Sequence, residues 1–128
     1  MSSQPLRVLV AEDNPALLRI EEYTLSLAGF EVTAVENGLL AWQAATSRHY
    51  DVVVTDYQMP QMSGADLCRQ LRTLPEYAST PFIMLTAFGL ELNLPCLQEE
   101  IGLAAILAKP FSPSRLLAVI REHFAPVA

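Results

Sequence analysis

The amino-acid sequence predicts an α/β fold: a doubly wound, five-stranded parallel sheet with helices on both faces. Three observations point there. Short runs rich in Val, Ile and Leu alternate with longer segments of helical period, and five such repeats fit the chain. The valine run at 52–54 has no polar interruption, as expected of a strand buried on both faces. No internal repeat, low-complexity tract or linker breaks the pattern, so the 128 residues read as a single domain, 1–128, with a core of about 6–124.

Each element has its own signal. The first strand is expected at Arg7–Ala11, and the helix after it at Asn14-Pro15, a capping residue followed by a proline suited to the first turn. Leu17, Ile20 and Leu27 form its expected inner stripe. Ala28-Gly29-Phe30 closes that helix, Glu31–Val35 is the second strand, and Asn37-Gly38 turns the chain into an alanine-rich helix whose Trp42 reads as core. The third strand, 51–55, belongs at the centre of the sheet and delivers Asp56 into the loop 57–64. Leu67, Leu71 and Leu74 mark the third helix, and the breakers of 75–81 return the chain to a fourth strand at 82–85. The fifth strand is Ala105–Ala108. Ser112-Pro113 then caps a last helix with Leu116, Leu117, Ile120 and Phe124 at helical spacing, and the tail from Pro126 is expected to fray.

Composition narrows the function classes. A net charge of −6, with 52% hydrophobic and 17% charged residues, suits a globular protein and argues against binding the nucleic-acid backbone. The start MSSQPLRVLV has no long apolar stretch after a basic start, which predicts no secretory leader and a cytoplasmic location, with no membrane partner expected. Cys68 and Cys96 lack metal spacing and are expected to pack as small apolar residues. His49 and His123 have no partner pattern, and His123 near a helix end is explained by the helix dipole.

Four apolar runs end on groups suited to phosphate chemistry: Glu12 and Asp13, Asp56, Thr86, and Lys109, the only lysine of the chain. In an open parallel sheet the ligand site lies outside the carboxyl ends of the strands, so these residues should converge. Three adjacent carboxylates oppose one another's ionisation and call for a cation; Mg²⁺, with its preference for oxygen ligands, fits. Asp13 and Asp56 are the best side-chain ligands, with Glu12 reaching directly or through water. A metal-bound carboxylate can attack a phosphoryl group if the spreading charge is neutralised, which Lys109 and Thr86 are placed to do, while Ala87 is small enough to leave the path open. Taken singly, each residue has a plainer role: Glu12-Asp13 a capping pair, Thr86 a turn hydroxyl, Asp56 the polar end of a buried strand, Lys109 a solvated residue.

The segments VLVAEDN, VVVTDYQMPQMSG, IMLTA and AKPF, in this order and at these separations, resemble the receiver domain of two-component response regulators, of the kind found as chemotaxis-type single-domain receivers. The resemblance covers Leu6 to Phe124. It implies a flavodoxin-like sheet of strand order 2-1-3-4-5, with Asp56 accepting a phosphoryl group from a histidine kinase or histidine phosphotransfer protein. It further implies Mg²⁺ held by Glu12, Asp13, Asp56 and the backbone carbonyl of Gln58. Thr86 would bond the phosphoryl oxygen, and Lys109 would pair with it beside a cis bond to Pro110. The chain would act as a phosphoacceptor with self-dephosphorylation, not as a turnover enzyme, and would signal to a downstream protein or by homodimerising.

Departures from the family pattern bear on signalling. Ile106 stands where many receivers carry a switching tyrosine or phenylalanine, so the usual coupling from Thr86 to an aromatic is absent. The segment Leu90 to Pro95 alternates with period two, which predicts a loop after Thr86 and a short fourth helix beginning near Asn93 or later. Phe88, Leu90, Leu92, Leu94 and Leu97 exceed what one short helix buries, and an exposed apolar patch or a tightly packed longer loop would account for them. Two rival classes remain at this point: a phosphate-independent docking module, favoured by Ile106, and an aspartyl phosphatase. The phosphatase lacks its second carboxylate, because Gln58 stands two residues after Asp56.

Overall fold

The computed structural model describes residues 5–87 and 94–124. Strands β1 (Arg7–Ala11), β2 (Glu31–Val35), β3 (Val52–Asp56), β4 (Phe82–Thr86) and β5 (Ala105–Ala108) alternate with helices α1 (Pro15–Leu27), α2 (Gly38–Ser47), α3 (Gly64–Arg72), α4 (Leu94–Ile101) and α5 (Pro113–Phe124). All pairings are parallel, in the order β2-β1-β3-β4-β5. The predicted class, strand order and central place of β3 are all observed.

Two apolar layers cover the sheet. Val8, Val10, Val54, Ile83 and Leu85 meet Leu18 and Leu25 of α1 and Leu116 and Ile120 of α5. Leu9, Val53, Phe82 and Met84 point the other way, toward Ala41 and Ala45 of α2, Leu67 and Leu71 of α3, and Ile101 of α4. Alternation along each strand thus feeds both cores. Every residue of β3 and β4 is buried, which accounts for their nearly unbroken apolar sequence.

The structure corrects several boundaries. Strand β3 is displaced by one residue and includes Asp56, because Asp51 is used just before it: its carboxylate accepts from the Arg7 backbone amide at 2.8 Å. Strand β4 likewise runs on to Thr86. In α1 the buried residues are Leu18, Glu21 and Leu25, whereas Leu17 is half-buried and Ile20 and Leu27 are 46% and 70% exposed. A carboxylate in the middle of the inner stripe disguised its register. Leu74 lies past the end of α3, before a 3-10 turn at Pro75–Tyr77, and Val119 joins Leu116 and Ile120 in the buried face of α5. Trp42 is half-buried and packs against the core, as expected. Cys68 is buried as expected, but Cys96 is exposed, against the expectation that it packs as a small apolar residue.

Capping follows the sequence signals. Asn14 Oδ1 accepts from the amides of Ala16 and Leu17, Asn37 Oδ1 from Leu40, and Ser112 Oγ from Arg115. Gly29, with φ of 100°, closes α1 in the left-handed region where a side chain would be strained. Helix α4 begins at Leu94 with Pro95 in its first turn, within the expected window, and is short. The approach expected after Thr86, the apolar excess at Phe88, Leu90, Leu92 and Leu94, the side chain of Phe124 and the tail from Pro126 lie outside what is described.

One side chain joins α3 to α4. The Arg72 guanidinium donates to the carbonyls of Ile101 (2.8 Å), Gly102 (2.9 Å) and Tyr77 (2.6 Å), and lies 3.9 Å over the Phe82 ring. It occupies the carbonyl-rich end of α4, where a cation is favoured. We expect Arg72→Met to lower stability by about 2 kcal/mol or more, since a charged hydrogen-bond donor is lost to three carbonyls. Chemical denaturation of the two proteins measures this, and an unchanged midpoint would show the clamp to be idle.

Candidate functional site

At the carboxyl end of the sheet, the polar ends of β1, β3, β4 and β5 meet. Glu12, just beyond β1, has no exposed surface; Asp56, the last residue of β3, is 3% exposed; and Asp13 faces solvent. One oxygen from each lies within 4.8 Å of the other two. The parallel register places these ends side by side, with Ala11 against Thr55 and Asp56 against Leu85. Asp56, Gln58, Asp13, Leu85, Ala87 and Lys109 line a cleft of about 160 Å³.

Lys109 reaches in from beyond β5. Its Nζ lies 2.9 Å from Glu12 Oε2 and 2.8 Å from Asp56 Oδ1, so one ammonium serves two buried carboxylates. The backbone seats it: Lys109 N donates to Thr86 O at 2.7 Å, and the Lys109–Pro110 bond is cis. Glu12 Oε2 also accepts from Asn14 N at 3.2 Å, and Asp56 Oδ2 from Asp13 N at 3.3 Å. Asn14 caps α1, so Glu12 and Asp13 are left for the cleft. The Asp56–Lys109 contact is close but poorly directed, and Asp56 Oδ1, like Glu12 Oε1, has no hydrogen-bond partner.

The charges strain against burial. Desolvation first, then the neighbouring Glu12 carboxylate, pushes Asp56 up to about 6, against the pull of Lys109. Asp13 is raised for the same reasons, with Asp56 as its neighbour. Burial pulls the Lys109 ammonium down, yet its contacts with Asp56 and Glu12 outweigh this and hold it above the ordinary lysine value. Behind Glu12 lies a further acid that no motif announced: Glu21 on α1, 2% exposed, pushed up to about 9 by burial first and then by Glu12.

The loop from Tyr57 to Gly64 folds back tightly on the strand it leaves. Gly64 N donates to Tyr57 O at 2.8 Å, and a Cβ built on Gly64 would stand 1.9 Å from Asp56 O. Glycine is therefore required there by contact, a reason the sequence reading missed. Thr86 is buried at the end of β4, opposite Ala108. Ile106, two residues back along β5, is half-buried against the layer that includes α3 and α4. Pro110 lines an adjoining apolar recess with Leu17, Ala87 and Phe111.

Polar strand ends, a buried aspartate and one lysine beside it on a doubly wound sheet find their counterpart in a known family: residues 8–121 match the response regulator receiver domain. The chain belongs to that family. Among curated relatives, this receiver is 34% identical over 122 residues to an uncharacterized transcriptional regulatory protein, YclJ, of Bacillus subtilis, covering 92% of the chain and 52% of the relative. It is 37% identical over 120 residues to the phosphate regulon transcriptional regulatory protein PhoB of Rhizobium meliloti, covering 90% and 50%. The receiver spans about half the length of the curated relatives it matches. Its fold superposes on the chemotaxis response regulator CheY4 of Vibrio cholerae with a TM-score of 0.85 and 28% identity, covering 92% of this chain and 98% of that one. The receiver domain of a sensor histidine kinase from Pseudomonas aeruginosa, solved with a magnesium ion in its active-site cleft, gives a TM-score of 0.84 and 30% identity, covering 95% and 99%. No helix among the described residues is long and apolar enough to cross a membrane.

Proposed function

We propose that this receiver takes a phosphoryl group onto Asp56 and passes the event to a partner through its surface. The observation that carries the reading is the Asp56 carboxylate: buried, with an Oδ1 that has no hydrogen-bond partner and lies 2.8 Å from Nζ of the only lysine. An oxygen of Asp56 attacks phosphorus of a phosphohistidine on a histidine kinase or phosphotransfer protein. The P–N bond breaks, its electron pair leaves with the imidazole, which takes up a proton, and an acyl phosphate remains on Asp56. Lys109 meets the charge on the transferring oxygens and Thr86 offers them a hydroxyl, while the small Ala87 leaves the approach open. Water attack on phosphorus later breaks the P–O bond to Asp56, releasing inorganic phosphate and returning the carboxylate. The chain is thus an acceptor that resets, not an enzyme acting on a free substrate.

The residues fit a divalent cation. Glu12 Oε1 and Asp56 Oδ1 lack hydrogen-bond partners, and the three acids beside a single lysine leave negative charge in excess. Asp13, Asp56 and the Gln58 carbonyl would hold Mg²⁺, with Glu12 direct or through water, and the ion would neutralise the phosphoryl oxygens. Output would run through α4, β5 and α5, including Ile106 and Arg115, to a downstream protein or a second copy. Phosphate-independent docking is the second reading, and Ile106 is its support.

The test is direct: the protein is incubated with Mg²⁺ and a small phosphodonor, and its mass and amide spectrum are followed. Gain of one phosphoryl group, with shifts around Asp56, is expected; a protein that takes up nothing, including beryllofluoride, sinks the proposal in favour of docking alone. Lys109→Ala should cut the rate of phosphoryl uptake by roughly two to three orders of magnitude, the scale of losing one charge-stabilising donor. It should spare Mg²⁺ affinity, because removing the ammonium removes repulsion as well. A collapse of Mg²⁺ binding in that variant would contradict the assigned role.

A further inference from the structure

Helix α1 carries an apolar stripe on its outer side as well as its inner one. Of the large apolar side chains exposed among the described residues, Ile20 at 46%, Tyr23 at 67% and Leu27 at 70% all stand on α1. With the exposed Ala16 they follow one another at steps of four, three and four residues, the spacing of a coiled-coil seam. The buried residues Leu18, Glu21 and Leu25 occupy the opposite side of the helix, so the seam belongs to no part of the core. Its two flanks differ in chemistry. Arg19 and Glu22 border it on one side, exposed and in no ion pair among the described residues, while the half-buried Leu17 and Thr24 border it on the other.

We infer that this face pairs two copies of the chain, α1 against α1 in antiparallel order about a twofold axis between Ile20 and Tyr23. That axis sets Ile20 against Tyr23 of the second copy and Ala16 against its Leu27, so in each outer layer a small side chain meets a large one. It also brings the charged flanks together: along the helix axis, Arg19 of each copy lies within about 3 Å of the level of Glu22 in the other, and symmetry makes the ion pair twice. A parallel pair would set Ala16 on Ala16 and place each charged flank beside an uncharged one. Order in both size and charge that complements itself is what names a second copy as the occupant. The three exposed side chains present roughly 300 Å² per copy, and with their flanks the pair buries about 1,000 Å² in total, the lower bound for a specific interface. The dimer is therefore weak, with a dissociation constant on the order of tens of micromolar. It uses none of α4, β5 and α5 and stands apart from the phosphoacceptor reading.

Sedimentation equilibrium of the full chain, over roughly tenfold either side of that constant, should show monomer and dimer in exchange. Tyr23→Lys changes an exposed residue, so it should keep the parent's melting temperature while weakening association about tenfold or more. In low-salt buffer, Arg19→Glu and Glu22→Arg should each weaken association about threefold, because like charges then face each other across the axis. Mixed in equal amounts, these two single variants should recover the parent's association, since each meets the opposite charge in the other. Mixing cannot restore a contact made within one chain, so recovery reports the contact between copies. A parent that stays monomeric throughout overturns the inference and leaves the seam to a different protein. A dimer that survives Tyr23→Lys overturns it too, because it must form through another face. So does a mixture that associates no more tightly than its two components, which excludes the antiparallel order.

Discussion

Asp56→Asn should abolish phosphoryl uptake and, in metal-free buffer near pH 7, melt higher than the parent. The amide has nearly the shape of the carboxylate but no nucleophilic oxygen to form an acyl phosphate, so the loss of labelling should be complete. The stability change comes from the same burial that readies the acceptor. The Asp56 carboxyl is raised from 3.8 to about 6, so its proton is held more tightly in the folded chain. The associated stabilisation is fully present below pH 3.8 and is lost as pH rises through 6, leaving the ionised form a burden at neutral pH. Asparagine carries no such burden, and a gain on the order of 1–3 kcal/mol is expected. Scanning calorimetry across this range, with a chelator present, should show the parent losing stability between about pH 4 and 6 relative to the variant. An Asp56→Asn protein that melts lower than its parent at pH 7 would contradict this account.

Gly64→Ala should be the most damaging single-methyl change near the site. The added Cβ would stand 1.9 Å from Asp56 O, 2.9 Å from Asp56 C and 3.2 Å from Thr55 Oγ1, and the first two are backbone atoms with no room to retreat. Relief requires opening the turn, which breaks the Gly64 N to Tyr57 O bond and moves the residue that carries the acceptor. We expect a loss of about 2–4 kcal/mol, at the upper end for overpacking. Phosphoryl uptake should fall by at least tenfold, because the strand end that aims Asp56 is what shifts. Denaturation midpoints and uptake rates measured on one preparation decide it; unchanged values for both would show that the loop yields without effort.

The strands and the residues at their ends were legible because burial on both faces writes itself as apolar runs and each run stops where polar chemistry begins. Glu12, Asp13, Asp56, Thr86 and Lys109 could be read in this way, and Asn14, Asn37 and Ser112 announced their helices by cap chemistry. Helix α1 was misread because Glu21, a charged residue in a helix, reads as solvent-facing. Its burial is settled only when α1 packs on the sheet, which brings it beside Glu12 from another element. The Arg72 clamp was hidden for another reason: its three partners are backbone carbonyls, which any residue supplies. Gly64 sits in a motif that could be quoted, but the need for glycine there is a contact across a turn and becomes visible only in three dimensions.

Glu12 and Lys109 are 97 positions apart in the chain, yet they share an ion pair beside Asp56. No continuous fragment shorter than that span holds the site, and no partly assembled sheet does either, since β4 lies between the acceptor strand and the strand that carries the lysine. If Asp56 takes the phosphoryl group as proposed, the mark it carries reports a completed sheet: a nascent, truncated or unravelled copy has no assembled site to offer a donor.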